Sequence, residues 1–185
     1  MLDKNFVLQL ACRDTDINEY LLSLYNIVVQ DKYKTIVELG AGQSTFVLTA
    51  AVNETLGEFY SHDISILAIE RLFPGGKGLL NNEPRFHFIE GDDLITVKQW
   101  DKPIDFLFLD TSHTFEQTKK EIDIWFPFVR SGGKIAMHDT AQLDPIARGC
   151  RIALDRFLES EEGEKYRAIH LLDTKFLGMS ILIKL

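Results

Sequence analysis

Residues 34–45, Lys-Thr-Ile-Val-Glu-Leu-Gly-Ala-Gly-Gln-Ser-Thr, constrain the fold more than any other stretch of the chain. Ile36, Val37 and Leu39 form a short β-branched and apolar run that reads as a buried parallel strand. Gly40-Ala41-Gly42 ends it, and a helical pattern begins near Ser44 with Phe46, Val47, Ala50 and Ala51. Strand, glycine turn and helix make the ligand-holding corner of a doubly wound α/β sheet. Gly40 permits a turn with φ > 0, and Gly42 lets the backbone approach a ligand with no Cβ in between. Glu38, near the end of the strand, would repel a pyrophosphate and attract the ammonium of an amino-acid ligand. Position 45 argues the same way, because a dinucleotide fingerprint wants a small residue there and the chain has Thr45.

The rest of the chain repeats the alternation of strand and helix. Apolar runs at 57–63, 85–90, 104–110 and 134–139 read as strands, with helical spacing between them. Residues 1–33 form an N-terminal helical segment, opened by an Asp16-x-x-Glu19 capping box, that covers the sheet or the substrate side. A glycine-rich segment at 74–84 reads as a mobile loop, and Ser131-Gly132-Gly133 as the end of a helical segment. Thr114-x-x-Gln117 opens a helix whose core stripe is Phe115, Thr118, Ile122, Trp125, Phe126 and Val129. Asp144-Pro145 opens another, with Ile146, Cys150, Ala153 and Phe157 inward. The strands at 166–171 and 176–184 are joined too closely for a parallel crossover, so they run antiparallel. The expected fold is one domain, 1–185: a mostly parallel seven-stranded sheet, helices on both faces, an antiparallel final strand.

The first five strands of this scheme each end at a carboxylate. Glu38, Asp63, Asp92, Asp110 and Asp139 fall at or just after the carboxyl ends, where ligands of open α/β sheets bind. Such a set needs cations or donors to balance it, and a sulfonium and ammonium ligand supplies them. Asp63, about twenty residues past the glycine turn, is placed to accept both ribose hydroxyls. His113 is the candidate general base, since an imidazole titrates near neutral pH.

The motifs resemble those of class I S-adenosylmethionine-dependent methyltransferases. Glu38-Leu-Gly40-Ala-Gly42-Gln-Ser44 is similar to the first motif, E/D-x-G-x-G-x-G/S, and Gly91-Asp92-Asp93-Leu94 to G-D-x-L. Phe108-Leu-Asp110-Thr-Ser-His113-Thr-Phe115 resembles F-x-D-G-x-H-x-Y of the small O-methyltransferase-like family, departing at Thr111 and Phe115. Gly132-Gly-Lys-Ile-Ala-Met-His138-Asp139-Thr140 matches G-G-x-I-x-x-H-D-T. The resemblance implies a Rossmann-like methyltransferase fold closed by the reversed strand, with S-adenosylmethionine held by Glu38, Gly40, Ala41, Gly42, Ser44, Thr45, Asp63, Ile64, Asp92, Asp93 and Asp110. Asp92 would meet the adenine amine. His113 and Asp110 would carry catalysis, with methyl transfer to a small-molecule hydroxyl. Asp110, His138 and Asp139 match metal positions of catechol-type relatives. His138 weakens the magnesium case and suits a softer divalent ion, and a metal is the lesser expectation.

Charge narrows the partners. With 28 acidic and 20 basic side chains the net charge is −8, which disfavours nucleic acid and anionic membranes. Two distant cysteines, Cys12 and Cys150, in no metal or redox spacing, imply reduced thiols and a cytoplasmic setting. A homodimer is compatible with so short a chain, because a partner could complete the substrate wall built from the leading segment, residues 74–84 and 140–149. A nicotinamide-dependent oxidoreductase is the alternative, opposed by Thr45, Glu38, the reversed strand and the lack of a Tyr-x-x-x-Lys pair. A non-catalytic cofactor-binding module of the same fold is the other.

Overall fold

The structure, a computed structural model, describes residues 1–141, 148–171 and 177–185. The strand order of the seven-stranded sheet is β3-β2-β1-β4-β5-β7-β6. By contacts the chain divides into two compact units, Met1–Asp92 and Asp93–Leu185.

In the first unit β1 (Thr35–Leu39) pairs in parallel with β2 (Glu58–Asp63), and β2 with β3 (Phe86–Glu90). Helix α3 (Gln43–Thr55) follows the glycine turn and is buried on most of its faces. Two helices precede β1, where the sequence reading gives one: α1 (Lys4–Ala11), capped by the Asp3 carboxylate on the Phe6 amide at 3.1 Å, and α2 (Asn18–Gln30). Asp16 does not cap α2. Its N-cap is Ile17, and the Asn18 side chain instead donates to the Ala11 carbonyl at 3.3 Å, closing α1 against α2. Phe6, Phe46 and Phe73 pack with ring centroids 5.0–5.9 Å apart, at the angles aromatic pairs prefer.

After the short α4 (Leu67–Leu72), the segment read as a mobile loop contains a helix, α5 (Gly76–Leu80). The Glu70 carboxylate accepts the Gly75 and Lys77 amides at 2.7 and 3.2 Å, and Leu80 is fully buried beneath. Those two anchors, one polar and one apolar, overcome the poor helix propensity of the glycines.

In the second unit the short α6 (Asp93–Thr96) precedes β4 (Ile104–Leu109), which pairs in parallel with β5 (Val129–His138). β7 (Met179–Lys184) is antiparallel to both β5 and β6 (Tyr166–Leu171), so the final strand is the reversed one. Ser131-Gly132-Gly133 lies inside β5 rather than ending the segment. It forms an irregularity, with Ile104 opposite Val129 but Phe106 opposite Lys134. Gly132 sits at φ +75°, and a Cβ on Gly133 would lie 3.0 Å from the Asp105 carbonyl oxygen, so both glycines are required there. Helix α7 (Phe115–Trp125) is capped by Thr114, whose hydroxyl accepts the Gln117 amide at 3.3 Å, as the spacing predicts. Thr118, Ile122, Trp125, Phe126 and Val129 are buried, and Phe115 is intermediate. Cys150, Ala153 and Leu154 form the buried face of α8 (Arg148–Leu158). The proposed start at Asp144-Pro145, with Ile146, lies outside the described residues, as does Phe176. No helix among the described residues is long and apolar enough to cross a membrane.

Candidate active site

The first unit supplies a turn held from beneath. Glu38, on β1, is fully buried, and its two oxygens accept three hydroxyls: Ser44 at 2.5 Å, Thr45 at 2.7 Å and Ser61 at 2.6 Å. Those donors satisfy the buried carboxylate, so Glu38 braces the turn. Thr45 also accepts the Gly42 amide at 2.9 Å. Its hydroxyl thereby links carboxylate to turn, and this is the physical reason for a threonine where a dinucleotide fingerprint has a small residue. Replacing Thr45 with valine is expected to cost about 1–3 kcal/mol, since it strands one amide and removes a donor from a buried carboxylate. Urea unfolding measures this, and a loss under about 0.5 kcal/mol would refute the bracing role.

The upper side of the turn is open. Gly40 takes φ +89° and donates to the His62 carbonyl at 2.9 Å. A Cβ on Gly42 would meet nothing nearer than Leu72 Cδ1 at 3.9 Å, so packing does not demand a glycine there. Asp63, at the end of β2, is fixed by the Ala41 amide on Oδ2 at 2.8 Å and the Ser65 amide on Oδ1 at 3.0 Å. Gly91 donates to the Asp63 carbonyl at 2.9 Å, bringing the exposed Asp92 to the same end of the unit. Ile64 is 77% exposed beside Asp63. Hydrogen bonds thus join the glycine turn, Asp63 and Gly91 at one end of the unit, with Ile64 and Asp92 next to them in the chain.

The second unit gathers the other carboxylates with two histidines. Asp110 follows β4, His113 lies in the next turn, His138 ends β5 and Asp139 follows it at φ +57°. His113 Nε2 donates to Asp139 Oδ2 at 2.7 Å. His138 Nδ1 lies 3.3 Å from the same oxygen and 3.5 Å from Asp110 Oδ1. Burial works to lower the pKa of His138, but hydrogen bonds and charge from Asp110 and Asp139 outweigh it and lift it to about 10. That balance favours the protonated form of His138. Burial opposes ionisation of Asp139, yet the two imidazoles hold its carboxyl far below the usual range. Asp110, with its longer contact, is pushed up by burial, so the close ion pair is His138 with Asp139. The bond to Asp139 raises the pKa of His113, whose side chain is 36% exposed. Among the described residues His113 Nδ1 has no hydrogen-bond partner, which leaves that nitrogen to take a proton.

A metal would use a different histidine from the one expected. Ligand atoms of Asp110, His113 and Asp139 lie within 4.8 Å of one another. His113, rather than His138, is the imidazole of that group. Asp139 Oδ1 is buried and unpartnered among the described residues, and two carboxylates with one imidazole suit a divalent ion. The group fits one.

Sequence reasoning missed Thr111, Gln117 and Glu121. Thr111 donates to Glu121 at 2.6 Å, and Gln117 donates to Glu121 at 2.9 Å and to Asp93 at 3.1 Å. Asp93 is consequently buried and turned onto α7, while its neighbour Asp92 is exposed. The i, i+4 spacing of Gln117 and Glu121 was the available signal.

A family model described as a methyltransferase domain matches residues 37–140. Solved structures of similar fold include an O-methyltransferase from Bacillus cereus in complex with S-adenosylhomocysteine (SAH). It is 16% identical with a TM-score of 0.72, and the match covers 98% of this chain and 90% of that one. A second is an O-methyltransferase of tomaymycin synthesis from Streptomyces achromogenes in complex with S-adenosylmethionine, at 13% identity, TM-score 0.69, and coverage of 100% and 92%. A third is an SAH-bound methyltransferase from Podospora anserina, at 15%, 0.69, and 89% and 77%.

Proposed function

The chain belongs to the methyltransferase-domain family, matched over residues 37–140, and we propose that it transfers a methyl group from S-adenosylmethionine to a hydroxyl oxygen of a small molecule. The observation that carries the hydroxyl acceptor is the His113–Asp139 pair, an imidazole held at 2.7 Å by a buried carboxylate, with its other nitrogen unpartnered among the described residues. The cofactor, when bound, supplies an electrophilic methyl on a sulfonium and leaves as a thioether. Asp63, oriented by two backbone amides, would receive the ribose hydroxyls, Asp92 and Ile64 would meet the adenine, and the open side of Gly42 would admit the ligand chain. His113 Nδ1 would accept the proton of the acceptor's hydroxyl, leaving the oxygen able to take the methyl group. Asp139 fixes the tautomer of His113 and stabilises the imidazolium that results. Asp110, His113 and Asp139 would alternatively hold a divalent ion, which supplies Lewis acidity to an acceptor oxygen when bound. The net charge of −8 supports a small neutral or cationic acceptor over nucleic acid.

At a hundredfold excess over its dissociation constant, SAH is expected to stabilise the protein by about 2.7 kcal/mol. For a chain of this size the melting temperature should rise by roughly 5–10 °C. A thermal scan checks this, and a shift with NAD(P)H but none with SAH or S-adenosylmethionine would overturn the reading.

A further inference from the structure

The turn that carries His113 has little apolar burial of its own. Thr111 and His113 are intermediate in exposure, and Ser112 and Thr114 are exposed. A segment with so few buried contacts opens readily unless polar groups hold it. Two features do so, one on α7 and one on α8. Thr111 Oγ1 donates at 2.6 Å to Glu121, a carboxylate 1% exposed on α7. Glu121 is itself steadied by Gln117 Nε2 at 2.9 Å, whose second hydrogen goes to Asp93 at 3.1 Å. In turn, α8 presses a glycine against the 111–113 segment. A Cβ on Gly149 would fall 2.4 Å from the His113 carbonyl oxygen and 2.7 Å from the Phe115 amide nitrogen. Neither Glu121 nor Gly149 has a part in the proton transfer, and a buried carboxylate costs stability unless its partners repay the desolvation.

We propose that Glu121 and Gly149 are positioning residues, a clamp that holds the Thr111–Ser112–His113 turn so that the imidazole stays on Asp139. The clamp rests on the methyl-transfer reading for its purpose, though not for its geometry. A displacement of about 1 Å in a reacting group can lower a rate about 100-fold, so loosening the turn acts on turnover before it acts on binding.

The test removes one jaw with a side chain of the same shape. Thr111→Val should raise amide exchange at residues 112–114 at least about tenfold and lower kcat about tenfold, with the dissociation constant for SAH within about twofold. Thr111→Ser, which keeps the hydroxyl, should restore both. Gly149→Ala displaces the turn through its contact with α8 and should show the same signature, so the proposal stays testable if one variant fails to fold. Unchanged exchange and kcat in a folded Thr111→Val or Gly149→Ala protein would overturn the clamp. Faster exchange in the variants of a protein that neither binds SAH nor turns over would leave the clamp standing and sink the methyl-transfer reading alone.

Discussion

Replacing His138 with leucine should cost about 3–5 kcal/mol, because it removes the cation from a buried ion pair and leaves its carboxylate partner uncompensated. His138 is 4% exposed and Asp139 1%, so solvent cannot take over the lost interaction. Against the usual 5–15 kcal/mol of a folded domain, that is a large share. The pH dependence has a definite sign. The folded pKa of about 10 lies above the ordinary 6.5, so the contribution is complete below pH 6.5 and is lost as pH rises through 10. Wild type should therefore lose stability across that window, and the variant should lack this part of the slope. Urea unfolding at pH 6, 8 and 10 measures both. A variant as stable as wild type at pH 6 would show that His138 is not the cation inferred here.

The second large effect is on rate. His113→Ala should lower turnover about 10²–10⁴-fold, the usual span for a positioned general base, with SAH affinity unchanged. The base acts when neutral, and the bond to Asp139 raises its pKa above 6.5. Turnover should accordingly climb with pH through a midpoint above 6.5 and then level off. Turnover should also survive EDTA. Full activity in the alanine variant would remove His113 as base, whereas activity abolished by EDTA and restored by a divalent ion would reassign it to metal holding with Asp110 and Asp139.

The parts of this site legible in the sequence are those fixed by local chemistry. Apolar runs that stop at a carboxylate located Glu38, Asp63, Asp110 and Asp139 at strand ends, because a parallel strand is buried on both faces and its end is not. The glycine turn was legible because φ +89° at Gly40 and the open side of Gly42 leave few alternatives. What escaped depends on direction and on distance in sequence. Both histidines were visible, but which one pairs with Asp139 as a cation and which keeps an open nitrogen is set by burial. Glu121 and Gln117 read as polar positions of an amphipathic helix, since nothing nearby in sequence shows that their partners are Thr111 and Asp93. Residues 76–80 were hidden for the opposite reason. Their glycines argue against helix, and one decisive anchor, the Glu70 carboxylate, lies outside the segment, while the other is the burial of Leu80, which sequence alone does not show.

The irregularity in β5 is, in effect, a parity device. The pairing offset from β4 is 129 − 104 = 25 before it and 134 − 106 = 28 after it, an odd difference of three. Side chains alternate along a strand, so an odd step exchanges the two sides of everything downstream. Met137 and His138 owe their present assignment to that count. With the pairing upstream kept, adding a single residue at Ser131-Gly132-Gly133 would bring Met137 to the place His138 now holds and removing one would bring Asp139 there, so either change takes the imidazole from its present place.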